Sequence, residues 1–187
     1  MSLLALRGIA LIRGGRLLIE DFDLALGAGE AILLTGPNGI GKSSLIRVAA
    51  GLLRPSAGEV ERSSGAAIAD EGLALDTRLT LVRALAFWAR IDGVHPEAAI
   101  TAMGLGRLRE VPVRMLSTGQ RKRAVLARVI ASGAGLWLLD EPLNGLDGDG
   151  SERLLTAIAA HRAAGGAVLA ASHQPLGLAD ARQRALG

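Results

Sequence analysis

Apolar residues in this chain come in short runs that alternate with segments of helical spacing. The runs Ala31–Thr35, Leu136–Leu139 and Ala167–Ala171 are almost entirely apolar. Runs of this length and composition are typical of strands buried on both faces of a parallel sheet. Two earlier apolar-rich segments, Leu3–Leu11 and Leu17–Leu26, are predicted to form a hairpin because a turn sequence separates them. The pattern therefore predicts an α/β fold with a sheet at its core.

The segments between these runs show helical periodicity. A helix is predicted from Lys42 to near Gly51, and another over Glu152–Ala164. Residues 71–113 carry helical signals only, with Leu81 and Leu85 on one helical face. We interpret this block as a helical insert of about 71–113 in a single domain that covers residues 1–187.

Composition excludes several classes of protein. The chain has no cysteine, so disulfides and thiolate metal sites are impossible. No apolar stretch approaches the roughly 18 residues that a membrane span needs. A net charge of +3 spread along the chain does not favour nucleic-acid binding. The densest basic run, Arg121-Lys122-Arg123, is interpreted as a solvated helix face.

A glycine-rich loop follows the first buried strand and precedes a helix. Its sequence, GPNGIGKS, fits G-x-x-x-x-G-K-[ST] in the structural context that supports the match. Backbone amides would cradle phosphates, Lys42 would neutralise the β/γ oxygens, and Ser43 would bind Mg²⁺. The chain is thus predicted to bind a nucleoside triphosphate, together with Mg²⁺. The predicted nucleotide-binding residues are Gly36, Pro37, Asn38, Gly39, Ile40, Gly41, Lys42, Ser43 and Ser44.

Two carboxylates stand at the end of the second buried strand. Asp140 is predicted to support Mg²⁺ and Glu141 to accept a proton from the attacking water, or to orient it. His173 ends the last buried strand at the same edge, where an imidazole could touch a γ-phosphate. The predicted catalytic residues are Glu141, His173 and Lys42, and the predicted metal ligands are Ser43 and Asp140.

Two segments leave alternatives open. Ser117 and Gln120 form a capping-box sequence, which explains them structurally, but a helix N-terminus there would also bind phosphate. Phe87 and Trp88 are expected to pack in the small core of the insert, with docking of a partner as the alternative.

These motifs together resemble the nucleotide-binding subunits of ABC transporters. GPNGIGKS, LSTGQ, LWLLDEP, NGLD and His173 occur in the order and spacing of that family, over nearly the whole chain. The resemblance implies a P-loop NTPase fold, with an ABC-type ATPase core of mixed sheet plus a helical subdomain. It also implies Mg-dependent ATP hydrolysis that powers a translocase.

The same resemblance implies a head-to-tail homodimer. Ser117, Thr118, Gly119 and Gln120 would contact ATP bound to the other protomer. Asn144 and Asp147 would belong to the loop that crosses the dimer interface. The partners implied are integral membrane transporter subunits, which would hold the chain peripherally at the cytoplasmic face of the inner membrane.

Within that family the chain most resembles the small ATP-binding subunits that serve haem export in cytochrome c biogenesis. Its short length, RGGR at 13–16, LTLVRALAFWARIDG at 79–93 and SHQPL at 172–176 carry this resemblance. The implied function is to drive haem export or the release of a haem-loaded chaperone. Alternatives are another small-substrate ABC exporter, a soluble ABC ATPase without membrane partners, and a non-catalytic nucleotide-dependent scaffold.

Three positions depart from the family pattern. The aromatic residue that stacks on adenine is missing, and Arg13 near that place could stack its guanidinium instead. No glutamine lies between Arg62 and Gly119, so Asp70 or Glu71 would replace the glutamine that normally binds Mg²⁺. Thr118 stands where glycine is commoner.

Overall fold

The computed structural model describes residues 2–72, 74–173, 176–178 and 180–186. The chain divides into two compact units. Unit 1 consists of Met1–Asp70, Ala134–Pro142 and His161–Gly187. Unit 2 consists of Glu71–Gly133 and Leu143–Ala160.

Unit 1 contains an antiparallel sheet built on the predicted hairpin. Strand β1 (Ser2–Arg13) pairs with β2 (Arg16–Gly27) and, on its other side, with β4 (Ala57–Arg62), giving the order β2-β1-β4. The β1–β2 register shifts at several points, and the backbone N–H of Gly8 donates to the Asp23 carboxylate at one of these irregularities (2.7 Å).

A parallel sheet forms the other layer of unit 1. Strands β3 (Ala31–Thr35), β6 (Leu136–Asp140) and β7 (Ala167–Ala171) are joined by β5 (Ala66–Ala69) and β8 (Arg182–Ala185). The order is β5-β6-β7-β3-β8, with all pairs parallel. Helix α1 (Lys42–Ala50) follows β3 and buries Leu45, Ile46, Val48 and Ala49.

One hydrophobic cluster joins these layers. It combines inward-facing leucines and isoleucines of the hairpin with the apolar face of α1 and with one face of the parallel strands. Alternate residues of β6 and β7 belong to this cluster, and both strands are buried at every position, whereas the hairpin strands alternate between buried and exposed residues.

Unit 2 is helical. It contains α2 (Leu81–Asp92), α3 (Glu97–Ala102), α4 (Thr118–Ala131) and most of α5 (Gly148–Ala163), with short 3₁₀ turns at Gly106–Leu108 and Val113–Met115. Leu81 and Leu85 are buried as their spacing predicts. In the described ranges no helix has the combination of length and apolar character that crossing a bilayer requires.

The α/β fold is confirmed, with differences in detail. The predicted mixed sheet is realised as one antiparallel and one parallel sheet, and β5 and β8 were not predicted. Helix α5 begins at Gly148, four residues before the predicted Glu152. Unit 2 begins at Glu71, the predicted start of the insert, but it continues beyond 113 to include α4 and most of α5. The single-domain assignment with an insert of 71–113 stays a prediction.

The two neighbouring aromatic residues of α2 have different environments. Phe87 is 54% exposed, so the expectation that it packs in the core is wrong. Trp88 is partly buried, because its indole N–H donates to the carbonyl of Ala74 (2.6 Å) and the guanidinium of Arg128 lies over its ring (5.2 Å to the centroid).

A histidine stacks on the core tryptophan of unit 1. The imidazole of His161, in the last turn of α5, lies 3.9 Å from the ring of Trp137 at an interplanar angle of 8°. Gly166 must be glycine here, because a Cβ at this position would lie 2.2 Å from the imidazole. Burial lowers the pKa of His161 below its ordinary value of 6.5, partly opposed by the nearby carbonyls of Ala167 and Gly135.

The lowered pKa predicts a pH dependence of stability. Because the folded state disfavours the charged imidazole, the unfolded chain binds the proton first as the pH falls through 6.5. The free energy of unfolding should therefore decrease from pH 6.5 down to the folded-state pKa. Denaturant titrations over this range should show the slope in the wild type and lose it in His161→Phe, which retains a stacked ring. His95→Gln, at an exposed position, is the control. An equal slope in His161→Phe would contradict the prediction.

Candidate functional site

The predicted nucleotide residues of unit 1 gather at one edge of the parallel sheet. Ala171 at the end of β7 is the register partner of both Leu34 on β3 and Asp140 on β6. The phosphate loop (Gly36–Ser43) therefore begins within two residues of the level of Asp140, on a strand two spacings away, or about 9.6 Å. In parallel sheets this carboxyl edge is where ligands bind.

The phosphate loop depends on backbone conformations that favour glycine. Gly36, Gly39 and Gly41 have φ angles of 136°, 78° and 117°. At Gly36 space is also limiting, because a Cβ would lie 2.8 Å from the carbonyl oxygen of Leu186. Gly41 precedes α1, whose first turn contains no acidic residue that would repel an anion. The loop thus presents the N-terminal amides of α1 in a form suited to phosphate.

Lys42 is held at the mouth of this loop. Its side chain is buried, and its ammonium donates to the carbonyls of Gly36 (2.7 Å) and Pro37 (2.9 Å). An ammonium has three hydrogens to donate, so these two bonds orient the group and leave capacity for a phosphate oxygen. Such fixation reduces the entropy that Lys42 would lose on binding an anion.

The predicted Mg²⁺ ligands have suitable chemistry. Ser43 is exposed at the first turn of α1, and Asp140 is only 5% exposed at the end of β6. The described residues include no group of three or more histidines and carboxylates that would hold a metal by themselves. A hydroxyl plus one carboxylate nevertheless fits Mg²⁺, which takes its remaining ligands from water and substrate phosphates.

Glu141 and His173 are in direct contact. The imidazole Nε2 of His173 lies 3.1 Å from Oε1 of Glu141, and the backbone N–H of His173 donates to Oε2 (3.3 Å). Glu141 also has a φ of 46°, which is rare for a residue other than glycine. Its own N–H donates to the carbonyl of Ala171 (2.8 Å), which fixes this turn of the chain. The contacts therefore restrict the carboxylate from both the backbone and the side-chain end.

Ser117 and Gln120 begin helix α4 of unit 2 with a complete capping box. The N–H of Gln120 donates to Oγ of Ser117 (3.2 Å), and the N–H of Ser117 donates to Oε1 of Gln120 (2.9 Å). The interpretation of Ser117 and Gln120 as a capping box is therefore confirmed. Ser117 and Thr118 remain exposed, so phosphate binding by this segment stays a prediction.

The Asn144–Asp147 loop of unit 2 lies against the start of α4. Asn144 is exposed, while Asp147 accepts hydrogen bonds from Arg123 and from the N–H of Gly150 (2.8 Å). Arg123 is only 14% exposed. The interpretation of its basic run as a solvated face is therefore wrong for this residue. Acidic residues 24 and 26 positions later in the chain gave no local signal of the contact.

Two positions that depart from the family pattern, Arg13 and Asp70, lie in unit 1. Arg13 is exposed at the end of β1, and its proposed stacking on a base stays a prediction. Asp70 forms an ion pair with Arg47 of α1 (3.2 Å), a contact the sequence did not predict. Gln174 and Pro175 of the SHQPL segment lie outside the described residues.

Each unit thus assembles a different set of predicted residues. Unit 1 contains the phosphate loop, Asp140, Glu141 and His173, and unit 2 contains the Ser117–Gln120 and Asn144–Asp147 segments.

Known structures and a family model define the class of the protein. The family model described as ABC transporter matches residues 19–144. A solved ATP-binding subunit of an ABC transporter has a TM-score of 0.85 at 24% identity, covering 92% of this chain and 80% of its own. An ABC transporter ATP-binding protein from Pyrococcus furiosus has a TM-score of 0.83 at 22% identity, covering 98% and 96%. At these identities the structures support the fold alone. The class is that of ABC-type ATP-binding proteins.

Relatives with higher identity narrow the assignment. The cytochrome c biogenesis ATP-binding export protein CcmA of Sphingopyxis alaskensis is 57% identical over 188 residues, covering 99% of this chain and 97% of the relative. The protein of the same name from Novosphingobium aromaticivorans is 61% identical over 179 residues, covering 95% and 92%. The chain belongs to this family of ABC-transporter ATP-binding export proteins.

The capping box predicts a structural cost for Ser117→Ala. Loss of the side-chain acceptor leaves the Gln120 N–H without its cap, which should lower the free energy of unfolding by about 1 kcal/mol. Thr118→Ala, at the neighbouring exposed position, should change it by less than about 0.5 kcal/mol. Urea unfolding of both variants measures the difference. Equal stabilities of the two variants would show that the capping box contributes nothing.

Proposed function

We propose that this chain is the ATP-hydrolysing subunit of a membrane export complex that serves cytochrome c biogenesis. Its hydrolysis of ATP would drive haem export or the release of a haem-loaded chaperone. The observation that carries the nucleotide-binding part is the phosphate loop, which contains three glycines with positive φ and in which the carbonyls of Gly36 and Pro37 orient the ammonium of Lys42.

The loop supports binding of a triphosphate. Amides of the loop and of the first turn of α1 would donate to the phosphate oxygens, and the macrodipole of α1 would favour their negative charge. Lys42 would contact the β/γ oxygens without changing its position, because the loop carbonyls already hold it. Ser43 and Asp140 would hold Mg²⁺, which supplies charge neutralisation to the phosphates when bound.

Glu141 is suited to act on the attacking water. Oε1 of its carboxylate contacts the His173 imidazole, and its backbone is fixed through Ala171. A carboxylate held in this way can accept or orient a proton within hydrogen-bond reach. His173 would keep the carboxylate in place and contact the γ-phosphate region.

We further propose that two copies close around two ATP molecules. In this arrangement Ser117 and Gly119 of one protomer would contact the nucleotide of the other, and the Asn144–Asp147 loop would lie at the interface. The exposure of Ser117, Thr118 and Asn144 supports this role, because these side chains are accessible to a second copy. Separation of the protomers after hydrolysis would move the membrane partner.

The proposed membrane partners rest on the relatives. Proteins 57% and 61% identical to this chain are named ATP-binding export proteins of cytochrome c biogenesis. Integral membrane subunits of such an export complex would form the pathway. The chain would then lie at the cytoplasmic face of the inner membrane.

Glu141→Gln separates binding from hydrolysis. The variant should retain ATP affinity within about twofold, because the phosphate loop is unchanged. Its turnover should fall by about 100-fold or more, since an amide cannot accept the proton of the water. Labelled-ATP binding and phosphate release measure the two effects, with Glu152→Gln, at an exposed position of α5, as the matched control. Unchanged turnover would remove Glu141 from its proposed role, and failure of the wild type to bind ATP with Mg²⁺ would contradict the whole proposal.

Purification from native membranes tests the partners. The tagged wild-type chain should be recovered with integral membrane proteins, and detergent extraction should release them together. Mass spectrometry would identify these proteins. Recovery of the chain without any membrane protein would instead favour a soluble ABC ATPase.

A further inference from the structure

Arg123 joins two segments that are far apart in the sequence. It lies on α4, and its guanidinium contacts the carboxylates of Asp147 and Asp149 (2.9 Å to Asp149). These carboxylates flank the start of α5 and are themselves largely exposed, whereas Arg123 is 14% exposed. A planar guanidinium can hold two carboxylates at once, which a lysine ammonium does less well.

Asp147 also caps the N-terminus of α5. It directly precedes α5, and its carboxylate accepts the N–H of Gly150 (2.8 Å), as an N-cap residue does. The same oxygen, Oδ1, also accepts from Arg123. The pKa of Asp147 is lowered mainly by the hydrogen bond that its carboxylate accepts from the Gly150 N–H, and next by the hydrogen bond from Arg123. The carboxylate is therefore charged at neutral pH.

Two glycines provide the space for these contacts. A Cβ on Gly150 would lie 2.9 Å from Nε of Arg123 and 2.9 Å from Oδ1 of Asp147. A Cβ on Gly119 would lie 2.9 Å from the carbonyl oxygen of Gly145. Neither glycine has a positive φ, so conformational freedom does not explain them. Glycine in a helix lowers stability by up to about 1 kcal/mol relative to alanine. Close packing explains why glycine nevertheless occupies these two positions.

The contacts lie on one face of α4. Gly119 and Arg123 are four residues apart and therefore neighbours on the helix surface. Gly119 approaches Gly145 while Arg123 holds Asp147, so the loop is attached to α4 at two points. Arg153 extends the network, because it pairs with Asp149 (2.9 Å) and donates to the carbonyl of Ala102 on α3 (3.3 Å).

We propose that Arg123 is a positioning residue that fixes the Asn144–Asp147 loop to the Ser117 end of α4, so that both segments are presented to a second copy as one rigid surface. This inference rests on the proposed function, in which both segments contact the other protomer. Arg123 itself would touch neither nucleotide nor partner.

The exposure of the carboxylates separates this role from a contribution to stability. Ion pairs with exposed partners contribute only about 0–1 kcal/mol to folding, because solvent screens them. Replacement of Arg123 should therefore leave the melting temperature within about 4 °C of the wild type. The loop, however, would lose the contact that determines its position. The expected defect is in pairing of the protomers, with nucleotide binding by the monomer intact.

The test compares pairing with single-site binding. In the full chain carrying Glu141→Gln, ATP-driven dimerisation is measured by sedimentation velocity, and monomer affinity is measured with a fluorescent ATP analogue. Adding Arg123→Gln should weaken dimerisation by about tenfold or more, while monomer affinity changes by less than about twofold. Arg123→Lys should recover part of the loss. Hydrogen exchange of residues 144–150 in the monomer should accelerate in Arg123→Gln.

Two matched controls accompany these variants. Arg107→Gln removes an exposed arginine of unit 2 and should leave dimerisation unchanged. Gly150→Ala should weaken dimerisation because its Cβ displaces Arg123. Gly148→Ala adds the same methyl in the same helical turn, where no atom lies within 4 Å, and should have no such effect.

The outcomes distinguish this inference from the proposed function. If Glu141→Gln alone neither binds ATP nor dimerises, the proposed function fails. If it dimerises and Arg123→Gln dimerises equally well with unchanged exchange, only the positioning role is overturned. If Arg123→Gln fails to fold, the comparison of Gly150→Ala with Gly148→Ala tests the inference instead. Equal dimerisation of these two variants would overturn it.

Discussion

The parallel register of three buried strands determines the geometry of the proposed nucleotide site. Ala171 is paired with Leu34 on one side and with Asp140 on the other, so β6 and β7 end at the same level and β3 ends one residue beyond it. The phosphate loop leaves the sheet from β3, and the two carboxylates leave it from β6. A shift of one strand by one residue would move its end by about 3.3 Å and reverse the direction of every side chain. Close packing of the apolar strands fixes their register and therefore keeps the loop and the carboxylates in position.

One strained residue lies where the chain leaves this framework. Glu141 adopts a φ of 46°, a conformation that costs a non-glycine residue about 1–3 kcal/mol. The bond from its N–H to Ala171 and the contact of its carboxylate with His173 oppose that cost. A glycine would adopt this conformation more easily but would provide no carboxylate. The arrangement is understandable if the position of the Glu141 side chain matters more than local stability.

The sequence predicts the central strands well because burial on both faces leaves an unambiguous apolar run. Ala31–Thr35 and Ala167–Ala171 agree with the structure residue for residue. Arg182–Ala185 was missed because this edge strand is exposed at all four positions and pairs through its backbone. The motif residues of unit 1 were predictable from spacing, since each follows directly from a strand end. The contact between Arg123 and Asp147 was not, because a basic run has the same local pattern whether its side chains meet solvent or a distant carboxylate.

The glycines near the proposed functional segments also differ in how far the sequence predicts their roles. Gly36 and Gly41 need positive φ, which their place in a phosphate-loop motif predicts. Gly119 and Gly150 have ordinary helical angles and are required by neighbouring atoms, which only the folded chain reveals. The first kind shapes a surface from backbone amides, and the second allows one segment to be fastened to another. Within the phosphate-loop motif, conformational glycines therefore give the backbone a form suited to bind phosphate. In unit 2, the packing glycines Gly119 and Gly150 instead identify segments that must keep a fixed relation if they are to act together.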